Sequence, residues 1–285
     1  MRSSQDFAQY LINSQEITGP EARQCLQASV GKEVGLPLRA LYFQAIKVDD
    51  LNPLMNLPPE AFRKAVTDRG ILSESTAKNL EYAIPKAGLP FAQAMLDLHL
   101  ADLEKLERLF RVYQMSKSEP IPEAVAHLLA GREMEREAAL YADYVTVFFD
   151  ALYRFLGGAG VIRLDYTTCL PEEKPRQIVA QRISGGIALV VGIEALEKEF
   201  LALARRYSRE ELPEMDELAL DSMEEFLNVV DGLFAVKLGK RELEVDLALP
   251  VSATEMHRHP SNLLRLFIDT PWGGFDLLLA TDAFI

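Results

Sequence analysis

Hydrophobic and polar positions alternate with two different periods along this chain, and the change falls near its middle. Through residue 113 the apolar residues recur at helical spacing, in short helices joined by short turns. A polar, proline-containing joint follows, Ser116-Lys117-Ser118-Glu119-Pro120-Ile121-Pro122, and reads as the boundary of the first half. Residues 116–137 are then expected to be linker and connector, with a charged helix near Pro122–Glu137. From residue 138 helices and strands mix. Ala139–Phe155 predicts a helix with an aromatic face (Tyr141, Tyr144, Phe148, Tyr153, Phe155), ended by Gly157-Gly158. Val161–Cys169, Arg176–Ile183 and Gly186–Val191 predict three strands. Glu194–Tyr207 and Met215–Phe234 predict two helices. Leu243, Val245, Leu247 and Leu249 alternate with Glu244, Asp246 and Ala248, as in a half-buried strand ending at Pro250. Leu263–Asp269 and Phe275–Ala280 flank the hairpin signal Pro271-Trp272-Gly273-Gly274. The expected second half, residues 138–285, is an α+β domain of order αβββααβββ with a mainly antiparallel sheet.

The first half, residues 1–115, contains an internal repeat. Phe7-Ala8-Gln9-Tyr10-Leu11 through Ile17-Thr18 and Ala22 aligns with Phe62-Arg63-Lys64-Ala65-Val66 through Leu72-Ser73 and Ala77. Gly35-Leu36-Pro37-Leu38 matches Gly88-Leu89-Pro90-Phe91, and acidic caps follow at Asp49-Asp50 and Asp102. Thr18 and Ser73 are expected to cap helix starts. This arrangement resembles the N-terminal helical domain of type II secretion and type IV pilus ATPases. In that family an Arg-Leu-Gly opening to each motif binds cyclic di-GMP. The openings here are Asp6-Phe7-Ala8 and Ala61-Phe62-Arg63, so the nucleotide signature is missing.

Composition narrows the function. The 285 residues are 49% hydrophobic and 26% charged, enough for about two soluble domains. The formal charge of −13 argues against nucleic acid and anionic membranes as partners. No apolar run approaches the roughly 18 residues of a membrane span. The polar start Met1-Arg2-Ser3-Ser4 reads as no signal peptide. Two distant cysteines, Cys25 and Cys169, fit a reducing cytoplasm and offer no metal spacing.

The most informative feature is a polar stripe on the helix around Asp221-Ser222-Met223-Glu224-Glu225-Phe226-Leu227-Asn228. At about 100° per residue, Leu220, Met223, Phe226, Leu227 and Val230 gather on one side. Asp221, Glu225 and Asn228 fall within roughly 60° of one another on the other. Two acids four apart weaken a helix slightly, and asparagine is a poor mid-helix residue. Folding gains nothing from these choices, which is the pattern of a functional face. By itself the stripe also fits a solvated face of an acidic protein.

The wider pattern is Asp221, Glu225, Asn228, Gly232 and Pro250, preceded by the Gly185–Val191 strand and the Leu196–Ala204 helix. It resembles the CheC/CheX chemotaxis phosphatase family over about residues 138–285. The resemblance implies hydrolysis of the aspartyl phosphate on a CheY-like response-regulator receiver. Asn228 would orient the attacking water and Glu225 would pair with the receiver's lysine. Asp221, with neighbouring Glu224, would dock the partner. The chain would need no cofactor of its own, Mg²⁺ being held by the receiver. A homodimer and a cytoplasmic location are further expectations. The competing class is a non-catalytic adaptor that docks on a receiver or senses a ligand through its first half. The first helix of the domain reads Tyr144-Val145-Thr146-Val147-Phe148-Phe149-Asp150, without a second Glu-x-x-Asn, so one site is expected.

Other candidates carry less. His257-Arg258-His259 lacks a third metal ligand nearby. Gly157-Gly158-Ala159-Gly160 and Gly185-Gly186 precede strands, so neither forms a phosphate cradle. No Gly-x-Ser-x-Gly elbow occurs. Trp272 is expected to pack at its hairpin.

Overall fold

The computed structural model describes residues 4–82, 88–165, 175–254, 256, 260 and 262–284. They form two compact units, Met1–Glu119 and Pro120–Ile285.

The first unit is helical: α1 Ser4–Asn13, α2 Gly19–Ser29, α3 Leu36–Tyr42, α4 Val48–Leu51, α5 Pro59–Asp68, α6 Glu74–Tyr82, α7 Gly88–Asp97 and α8 Leu103–Met115. The repeated apolar positions are its core, with Phe7, Ala22, Phe62 and Ala77 all buried. Thr18 caps α2 in a reciprocal box with Glu21, Ser73 accepts from the Thr76 amide, and Asp102 accepts from the Lys105 amide.

Four of the helix ends close identically. After α1, α3, α5 and α7 a residue enters the left-handed region: Gln15, Gln44, Gly70 and His99. The amide one residue further on then reaches back five residues, as in Glu16 to Leu11, Ala45 to Ala40, Ile71 to Val66 and Leu100 to Met95. This is the Schellman closure. The repeat is therefore finer than the two-fold one read from sequence: four helical hairpins, each turned by one residue in the left-handed conformation.

In the second unit the elements are α9 Pro120–Leu129, α10 Ala138–Ala151, β1 Val161–Ile162, β2 Arg176–Gly185, β3 Leu189–Leu196, α11 Glu197–Ser208, α12 Glu217–Gly239, β4 Val245–Leu247, β5 Val251–Ala253, β6 Leu264–Thr270 and β7 Gly273–Ala280. The strands make one antiparallel sheet of order β1-β6-β7-β3-β2-β4, with β5 also on β2. The fold is α+β as expected, and the helices cover one face of the sheet. Tyr144, Phe148 and Phe149 of α10, Phe200 of α11 and Phe226 of α12 share one core with Val179, Val191 and Leu277. The opposite face holds a smaller cluster of Ile178, Ala180, Val190, Leu278 and Phe284.

Several boundaries differ from expectation. The segment expected as a connector instead contributes Ile121, Val125 and Leu129 to the second unit's core. The long first strand reduces to Val161-Ile162 before Arg163 turns to pair with Asp269 and Asp165. Residues 166–169 of that expected strand, Cys169 among them, and the His257/His259 pair lie outside the described residues. Strand β3 runs on through Glu194, where a helix start was expected. Arg176 of the adjacent β2 (3.1 Å) and Arg265 of β6, two strands away, pair with the nearly sealed Glu194 carboxylate. A buried acid with two such partners is satisfied within a strand and has no need of a helix N-terminus. Tyr141, Tyr144 and Phe148 of the expected aromatic face are buried, while beyond the end of α10 Phe155 is half-buried and Tyr153 exposed. Trp272 packs against Gly158 and beneath the Arg206 guanidinium, 4.9 Å from the ring centre.

Candidate functional site

Helix α12 spans 23 residues, opened by Asp216, whose carboxylate accepts from the Ala219 amide at 3.0 Å. Its apolar side is buried as the periodicity requires: Met223, Phe226, Leu227, Val230 and Phe234 face the core. Asp221, Glu225 and Asn228 are all exposed on the opposite arc. The stripe is real and points to solvent from a convex helix. The nearby open cleft, about 560 Å³ and lined by Gly185, Ala235, Gly239, Leu243, Glu244, Val245 and Asp246, contains none of the three. Among the described residues no group of three His, Cys, Asp or Glu side chains is placed to hold a metal ion.

The stripe is also supported from below. Gln181 of β2 is buried, and its Nε2 donates to Asn228 Oδ1 at 2.8 Å and to the Ala248 carbonyl at 2.7 Å. Tyr207, at the end of α11, lies beside Glu225; burial first, then the Glu225 charge, raises its phenol pKa. The same ring packs on Phe226 with centroids 5.4 Å apart. Glu224 is half-buried and accepts from Ser252 Oγ of β5 at 2.6 Å. Expected as a docking residue, Glu224 ties α12 to the sheet. Strand alternation identifies β2, yet Gln181 is the polar residue between core-facing Val179 and Ile183, and that mismatch was the available signal.

Pro250 acquires a structural meaning. The strand expected to run from Leu243 to Leu249 is interrupted. Ile183 pairs with Leu247 and Ala180 with Val251, so Gln181 and Arg182 face three residues, Ala248, Leu249 and Pro250. This is a one-residue β-bulge. It fits a residue with no amide to donate. The Ala248 carbonyl at the bulge meets the Gln181 side chain.

No family model and no curated protein matches the chain. Solved structures do resemble it. The chemotaxis protein CheX from Vibrio vulnificus is 15% identical, over 48% of this chain and 93% of that one, with a TM-score of 0.40. CheX in the CheX–CheY–BeF3–Mg²⁺ complex from Borrelia burgdorferi is 14% identical, over 49% and 96%, with a TM-score of 0.39. A CheC-like superfamily protein from Shewanella sp. PV-4 is 14% identical, over 49% and 95%, with a TM-score of 0.36. These likenesses fall on about half of this chain.

Gly232 lies one turn beyond Asn228 on the same arc of α12. A Cβ there would meet nothing within 4 Å. The chain's own packing therefore does not require glycine at this position.

Proposed function

We propose that this chain hydrolyses the aspartyl phosphate of a CheY-type receiver domain. The observation that carries the reading is the exposed pair Glu225 and Asn228, with Asn228 held by the buried Gln181 and Glu225 set beside Tyr207. A solvated surface acid or amide gains little from such anchoring, because its ordering opposes side-chain entropy. A group that must meet a substrate in one orientation benefits from it.

In this reading α12 docks on the receiver, which brings the phosphoaspartate and its Mg²⁺. Glu225 pairs with the receiver's lysine, and Asp221 extends the contact. Asn228 holds a water in line with phosphorus. The water oxygen bonds to phosphorus, the bond to the aspartyl oxygen breaks, and the carboxylate leaves with its electron pair. The proton of the water passes to the released phosphate. Such a transfer asks for positioning and charge rather than covalent help.

The test is phosphate release from a CheY-type receiver phosphorylated with acetyl phosphate and Mg²⁺. Wild type accelerates it over spontaneous decay; Asn228→Ala loses on the order of 100-fold while still binding the receiver. Binding of BeF3⁻-loaded receiver with no acceleration by wild type replaces the enzyme with a docking adaptor.

A further inference from the structure

We infer that Gln181 is a positioning residue, which with the Ala248 bulge sets the Asn228 amide in one of its two orientations. The argument starts from an atom whose chemistry is unambiguous. A backbone carbonyl only accepts, so the Gln181 atom 2.7 Å from Ala248 O is the amide nitrogen. That nitrogen carries two hydrogens. The second points at Asn228, 2.8 Å away, so the Asn228 atom facing it is Oδ1. Asn228 Nδ2 therefore faces outward. The flipped amide would set two N–H groups against each other over a buried side chain.

The site is built for this. Gln181 stands between Val179 and Ile183 on the core face of β2, where an apolar residue would pack. Its Oε1 is buried and finds no partner among the described residues, so its two N–H bonds are what the side chain contributes. The bulge supplies the carbonyl that fixes the first of them. A docked phosphoryl group and its water then meet Nδ2–H donors and the one remaining lone pair of Oδ1, always in the same arrangement.

The inference rests on the phosphatase reading for its catalytic consequence, while the orientation itself is measurable without a partner. In the full chain labelled with ¹⁵N and ¹³C, a coupling through the hydrogen bond from Gln181 Nε2 to Asn228 Cγ is expected, and Gln181→Met removes the shift it imposes on the Asn228 amide. Absence of the coupling in wild type overturns the orientation. In the phosphate-release assay, Gln181→Met lowers kcat about tenfold with KM for the receiver unchanged, and adds nothing in an Asn228→Ala background. Gln181→Glu, an acceptor where a donor stood, inverts the Asn228 amide and lowers kcat as well. Undiminished kcat in both variants, or additive losses, overturns the role. If wild type releases no phosphate, the phosphatase reading fails, and the coupling measurement still decides the orientation.

Discussion

Tyr144 Oη donates to Asp231 Oδ1 across 2.7 Å, with both side chains sealed from solvent. The bond joins α10 to α12 one turn from Asn228. Burial raises the pKa of Asp231 well above the usual carboxylate range, and burial followed by the neighbouring acid raises that of Tyr144. Asp231 therefore holds its proton more tightly in the fold than in the unfolded chain. The stability tied to it is full below its unfolded pKa and is lost as pH rises through its folded pKa. Asp231→Asn keeps an acceptor for Tyr144 and removes the titration. Urea midpoints measured from pH 4 to 9 should fall less steeply with pH in the variant. Parallel curves would show that Asp231 is ionised in the fold.

Gly232→Ala separates folding from docking. In an open helical position alanine is favoured over glycine by about 0.5–1 kcal/mol. The variant should unfold at higher urea and bind a BeF3⁻-loaded receiver more weakly, as judged by calorimetry. Unchanged affinity would mean that nothing approaches this part of α12.

Ser252→Ala removes the donor to Glu224 at a half-buried site. Loss of such a bond to a charged group costs about 1.5–3 kcal/mol. The cost should appear in stability while receiver affinity changes little. A large affinity loss with normal stability would place the Ser252–Glu224 pair on the docking surface.

His99 occupies a left-handed turn that its counterpart four helices' worth of repeat away does not share with glycine either, since Gln44 stands there. His99→Gly should stabilise the first unit by about 1 kcal/mol, by relieving the left-handed penalty of a side chain. A thermal melt of the full chain checks it, with a lower midpoint counting against the assignment.

Cys25 is fully buried, and desolvation pushes its thiol pKa up to about 12. In a Cys169→Ser background the folded chain should leave a disulfide reagent unreacted and consume one equivalent only in denaturant. Rapid labelling of the folded chain would show that α2 opens.

The Asp221, Glu225 and Asn228 arc was legible because helical period alone decides which side of α12 each residue takes. Gln181 was not, because its meaning depends on a partner 47 residues away in sequence. The break at Ala248–Pro250 was hidden for a related reason: Leu243 to Leu249 alternates perfectly by itself, and the extra residue shows only against the register of β2. Glu194 misled because an acid before an amphipathic run looks like a helix start, until Arg176 and Arg265 arrive from other strands. Local periodicity was readable; cross-strand neutralisation and side-chain support were not.

The bulge at Pro250 has a consequence for self-association. Strands β4 and β5 are three residues each and lie at one margin of the sheet, and among the described residues only Val161-Ile162 of β1 stands at the other. A long, flat, unpaired strand is a template on which further chains add and aggregate. Here one margin is kinked and lacks an amide at Pro250, so edge-to-edge growth has no continuous row of donors and acceptors to copy. The same irregularity whose carbonyl meets the Gln181 side chain thus interrupts the edge through which further copies of the sheet would add.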